Sequence, residues 1–148
     1  MCLTFFTETE DYNSAVQIAE KDITVYKIVE KVGDTYYSEY VGWKYLIGKA
    51  YKKNEDWPLD DVYTMPMNLE HEYLHSIYDG YHAYVDLEKA KRWFGEEVGY
   101  ATNGDRLCIV ECHIPAGAKY VVGYRYGDIV SSAIVIDKEI ECYGEKWV

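Results

Sequence analysis

His71, Glu72 and His75 spell the string His-Glu-Tyr-Leu-His, which matches H-E-x-x-H. On a helix this spacing sets two imidazoles one turn apart with a carboxylate between them, the arrangement of zinc hydrolases. There the histidines hold the metal, Glu72 takes a proton from a bound water, and the ion lowers that water's pKa to ~7. The apolar pattern argues against it. At about 100° per residue, Leu69, Tyr73, Leu74 and Ile77 share one arc of such a helix, and His71 and His75 lie nearly opposite, toward solvent. A solvent-facing pair lacks the enclosing hydrogen bonds that fix a metal's geometry. His82 also misses the position of a third ligand by one residue. A zinc metallohydrolase is therefore an alternative function only, and no metal or other cofactor is expected.

The other reactive side chains are scattered. Lys27 shares a strand face with Ile23, Val25 and Val29, where a charge needs an edge position, a partner or a ligand. Gly80-Tyr81-His82-Ala83-Tyr84 alternates as a strand and puts His82 and Tyr84 on one face. Arg125 stands between two tyrosines beside Gly127 and suits a phosphate, with Ser131 and Ser132 just beyond the turn. Cys108 and Cys112 lie in a β-patterned run and span roughly 13 Å, too far for one tetrahedral ion. They are expected to be buried small hydrophobes, and all four cysteines to be unpaired. Glu139-Ile140-Glu141 resembles the E-x-E of ADP-ribosyltransferases but lacks the accompanying serine-threonine-serine motif. No P-loop, dinucleotide fingerprint or G-x-S-x-G occurs, so no catalytic residue is assigned.

A formal charge of −11 repels nucleic-acid phosphates and excludes direct nucleic-acid binding as the leading reading, while leaving room for an acidic inhibitor of a basic partner. No apolar run approaches the ~18 residues of a membrane span. The N-terminus has no basic-then-apolar leader, so a cytoplasmic protein is expected. Seventeen Tyr and four Trp suit half-buried strands and also suit stacking on a planar ligand.

The elements that must position these groups follow from periodicity. Residues 22–32 and 35–40 predict a hairpin turning at Gly33-Asp34, and 43–51 a further strand. Residues 66–78 predict a helix, 81–85 a short strand, and Asp86 caps a second helix that stops at Gly95. Beyond it, 106–114, 119–125 and 129–136 read as strands around a Pro115-Ala116-Gly117 corner, with a tail strand at 139–143. The expectation is one α+β domain over residues 1–148: a mainly antiparallel twisted sheet of about six to eight strands with two helices packed on it.

Segments 19–27, 36–40, 80–84 and 87–90, together with 114–120 and 131–136, resemble a group of small uncharacterised proteins of bacteriophages and their hosts. The shared motifs are tyrosine-rich strands, a strand-to-helix join and a Pro-Gly corner, so no catalytic set transfers, and the 71–75 string falls in a variable stretch. The resemblance implies a phage setting, in which small acidic proteins act by binding. The expected function is sequestration of a small nucleotide-derived immune signal without turnover, by a homo-oligomer whose ligand contacts come from Lys27, Tyr37, His82, Tyr84, Arg125 and Ser132. A host defence protein is the alternative partner.

Overall fold

Strands build more than half of the described residues. The structure, a computed structural model, describes residues 3–38, 43–58, 62–67, 72–97, 106–124 and 127–143. Among these residues there are thirteen strands and one α-helix. The strands are β1 (Leu3–Thr7), β2 (Gln17–Ile18), β3 (Ile23–Val32), β4 (Thr35–Ser38), β5 (Lys44–Tyr45), β6 (Ala50–Lys52), β7 (Val62–Pro66), β8 (Tyr73–Ile77) and β9 (Tyr81–Tyr84). After helix α1 (Leu87–Glu97) come β10 (Arg106–Ile114), β11 (Lys119–Val122), β12 (Asp128–Ser131) and β13 (Ala133–Tyr143). The fold is mainly β, which corrects the expected α+β class with two helices. No helix of the described residues is long and apolar enough to cross a membrane.

The first expected helix is the source of the error. Tyr73 and Ile77 stand four apart and read as a helical stripe, yet the same spacing is also two periods of a strand. The pattern that wins is Tyr73, His75, Ile77, with His75 and Ile77 buried. The surrounding aromatic and β-branched residues favour that choice. The strand becomes the centre of a three-stranded antiparallel sheet, β1-β8-β7. The second helix is present, capped by the Asp86 carboxylate, which accepts a 2.8 Å hydrogen bond from the Lys89 amide. It runs two residues past Gly95.

A ten-stranded antiparallel sheet follows the path β2-β11-β12-β9-β3-β10-β13-β6, with β4 branching from β3 and β5 from β4. The hairpin of β3 and β4 and the strand β10 match the sequence expectation. β12 and β13 are successive lengths of one strand path broken at Ser132, so the expected single strand over 129–136 serves two neighbourhoods. One apolar cluster takes Ala83 from β9, Ile129 from β12, Tyr45 from β5 and Ile136 from β13, with Tyr120 of β11 and Tyr51 of β6 packed against it. The sheet therefore curls around that cluster. A second cluster joins Leu3, Phe5 and Ile77 of the small sheet to Val121 and Val130 of the large one. A third lies beneath α1, where Ala90 packs with Ile28, Tyr84, Leu107 and Ile109. Fully burying a side chain the size of Ile134 contributes about 1.5–3 kcal/mol, so these clusters dominate the stabilisation.

Two bulges shape β13. Against β10, Ile109 faces Glu141 while Val110 faces Glu139, which leaves Ile140 as an extra residue; a second shift follows between Glu111 and Cys112.

Candidate functional site

The corner at Ser132 is held by main chain. Its amide donates to the Lys119 carbonyl at 2.9 Å, and its own carbonyl accepts from the Lys53 amide at 2.7 Å. Its Oγ accepts from the Lys119 amide at 3.0 Å, which leaves the hydroxyl proton to be donated elsewhere. Opposite, Pro115, Ala116, Gly117 and Ala118 form a turn in which the Ala118 amide reaches the Pro115 carbonyl. Gly117 has φ 89°, a conformation that suits glycine. The Asp22 carboxylate accepts from the Ala116 amide at 2.9 Å and anchors this turn to the start of β3.

Between corner and turn lies an open cleft of about 480 Å³, lined by the 52–55 segment, the 115–119 turn, Ser132 and Ala133. Three lysines are among its lining residues, Lys52, Lys53 and Lys119, against one acidic residue, Glu55. In a chain of net charge −11 this is a local reversal of sign. Lys53 is also half-buried: it pairs with Asp79 at 2.8 Å and stands 5.2 Å and 5.3 Å from the ring centres of Trp43 and Tyr81. The Lys119 ammonium donates to the carbonyls of Glu55 at 2.6 Å and Trp57 at 3.3 Å, fastening the loop that forms one wall. The cleft offers cations, a hydroxyl donor and neighbouring aromatic faces.

Of the expected ligand residues, Ser132 lines this cleft. Lys27, His82 and Tyr84 come together elsewhere. β3 is an interior strand, so edge protection does not explain Lys27. It sits where β3 changes neighbour, from β9 at Tyr26 to β4 at Val29. Its ammonium donates a 2.7 Å hydrogen bond to the His82 carbonyl and stands 5.6 Å from the Tyr45 ring centre. At 8% exposure it is committed to the fold. His82 Nε2 donates to the Tyr78 carbonyl at 3.1 Å, and Nδ1 is buried with no hydrogen-bonding partner. Burial, reinforced by the Lys27 charge, pushes its pKa down to about 4. Tyr84 is packed beneath α1. Tyr37 is on β4 opposite Glu30 and Lys44. Arg125 lies outside the described residues.

The zinc string does not stand on a helix over its described part, where Tyr73–Ile77 is a strand. His71 lies outside the described residues, and His75 belongs to a strand and is fully buried, not solvent-facing. Its Nε2 is 2.6 Å from Thr7 Oγ1 and its Nδ1 is 2.8 Å from Thr64 Oγ1. Phe5 stacks on the ring at 5.0 Å between centroids. Both nitrogens are engaged by hydroxyls, which makes this a satisfied core histidine.

The cysteines also depart from expectation. Cys108 and Cys142 are joined in a disulfide across β10 and β13, whereas Cys112 is free, buried, and has its thiol pKa pushed up to about 12 by that burial. A thiol so protonated is inert. Cys2 lies outside the described residues.

Lys52, Lys53 and Lys119 escaped the sequence reading. The available signal was a Lys-Lys pair ending a short strand and a third lysine just after a Pro-Ala-Gly corner, in a chain otherwise short of cations. No protein-family model matches the chain, nor does any curated protein or solved structure.

Proposed function

We propose that the protein captures a small phosphate-bearing ligand of nucleotide type in the cleft at Ser132 and releases it chemically unchanged. The observation that carries this reading is that Lys52, Lys53, Lys119 and Ser132 all line one cleft of about 480 Å³, within the size range of small-molecule sites. Ammonium groups meet phosphate oxygens as charge-assisted donors, and the rings of Trp43 and Tyr81 beside Lys53 offer faces for a base. Ser132 Oγ is held by the Lys119 amide, and among the described residues no hydrogen bond sets a carboxylate or imidazole against it, which favours binding over turnover. In the phage setting suggested by the sequence resemblance, such capture removes a host immune signal.

The test is equilibrium dialysis of the protein against a panel of cyclic nucleotides and ADP-ribose derivatives, followed by heat release and mass analysis. One member should be depleted and returned intact, with affinity falling as salt rises. Lys52→Ala, at an exposed position, should weaken capture by about 1–3 kcal/mol without altering the fold. Depletion of no member sinks the reading, and recovery of a cleaved product makes the protein an enzyme.

A further inference from the structure

At the opposite end of the β10–β13 ladder, the first bulge has a chemical consequence. Glu139 and Cys142 are three residues apart and would face opposite sides of a regular strand. The extra residue at Ile140 brings both to the side of Cys108. The donor atoms of Cys108, Cys142 and Glu139 all lie within 4.8 Å of one another. Glu139 Oε1 is 3.8 Å from Cys108 Sγ. The same oxygen is held in place by the Lys31 ammonium at 2.8 Å and the Tyr36 hydroxyl at 2.9 Å.

We propose that Cys108, Cys142 and Glu139 form a redox-gated binding site for one thiophilic divalent cation of the zinc type, closed by the disulfide and opened by its reduction. Tetrahedral zinc with bonds of about 2.3 Å to sulfur and 2.1 Å to oxygen places its ligand atoms about 3.6–3.8 Å apart. The sulfur-to-carboxylate separation already has this size, so opening the site requires only that the two sulfurs part. Cys142 is half-buried, which leaves its side chain room to rotate.

The step balances. A thiol reductant supplies two electrons and two protons by exchange, becomes a disulfide itself, and leaves two thiols. Coordination then releases those two protons to solvent. Two thiolates and a carboxylate bring three negative charges against the two of the ion, and the Lys31 ammonium balances the remainder. Lys31 and Tyr36 act as positioning residues, since they orient the carboxylate without touching the metal. A water completes four-coordination.

The full chain carrying Cys2→Ser is reduced anaerobically with a phosphine, which takes the oxygen of one water as the two thiols form. After desalting it is titrated with Co²⁺. One equivalent should give a near-ultraviolet thiolate-to-cobalt band, displaced by Zn²⁺, while the oxidised chain gives none. Cys108→Ser and Cys142→Ser should each abolish the band. Glu139→Gln keeps both thiols and the ladder, and should weaken binding by more than about tenfold. No band from the reduced chain overturns the proposal, as does a band that survives Cys108→Ser. Equal affinity in Glu139→Gln removes Glu139 from the site and overturns it equally.

Discussion

Thr64 Oγ1 and His75 Nδ1 lie 2.8 Å apart across the β7–β8 ladder, at positions directly opposed in register. With Thr7 on the other flank, the imidazole links all three strands of the small sheet from the inside. It works as a polar rivet in an apolar cluster, where an unpaired donor or acceptor is costly. His75→Ala leaves both hydroxyls without their partner and removes the Phe5 stack. It should lower stability by about 2–4 kcal/mol in urea unfolding. Thr64→Val combined with His75→Ala should cost less than the sum of the two single changes. Strict additivity would show that the bond contributes nothing.

Gly80 precedes β9 at φ 130°, where a side chain is strained. An added Cβ would also fall 2.6 Å from Val130 Cγ2 and 2.8 Å from Trp57 Cζ2, both in the second apolar cluster. The Trp57 indole cannot swing away without breaking the 2.9 Å hydrogen bond it donates to the Asp79 carbonyl. Gly80→Ala should therefore destabilise by about 2–4 kcal/mol, read as a lowered melting temperature and changed tryptophan fluorescence. An unchanged melting temperature would contradict this packing.

The elements that sequence alone located are those with unambiguous local grammar. The β3–β4 hairpin has alternation on both sides of Gly33-Asp34, and α1 has the Asp86 cap. What stayed hidden depends on contacts between distant segments. Four-residue spacing at Tyr73 and Ile77 cannot separate a helix from a strand, and the hydroxyls that satisfy His75 come from Thr7 and Thr64 on two other strands. Lys27 stood out as a charge on an apolar face that needs an edge position, a partner or a ligand, but its acceptor, the His82 main-chain carbonyl, carries no sequence mark. The pairing of Cys108 with Cys142 rests on register, which no spacing rule supplies. Among the described residues, Ser132 is the one expected ligand residue in the cleft, because the lysines beside it are assembled by the break between β12 and β13.

Peptide mapping of the protein denatured under alkylation without reduction should recover Cys108 linked to Cys142 and Cys112 alkylated. The bond closes a loop with a sequence separation of 34 residues. By the chain-entropy relation such a loop restricts the unfolded state by about 3–4 kcal/mol. Cys108→Ala should lose stability of this order in urea, and reductant should then have no further effect. A parent protein whose midpoint is indifferent to reductant would show that the bond contributes no stability.

Folding should weaken as pH falls from about 6.5 toward 4, and His82 supplies part of that dependence. In the unfolded chain its imidazole takes up a proton near the ordinary value of 6.5, whereas in the fold it resists until about 4. Between those values the unfolded state binds more protons, so stability is complete above the upper limit and is lost on descent. His75, whose pKa burial also lowers, acts in the same direction, so the pH profile of stability alone cannot isolate His82. Lys27 does. Its charge is the second cause of the His82 shift after burial, so Lys27→Met should raise the His82 pKa while leaving the His75 titration unmoved. Imidazole resonances followed by NMR distinguish the two rings. A His82 that titrates near 6.5 in the parent would contradict the burial of its ring, and one that ignores the loss of Lys27 would mean that the ammonium does not act on it.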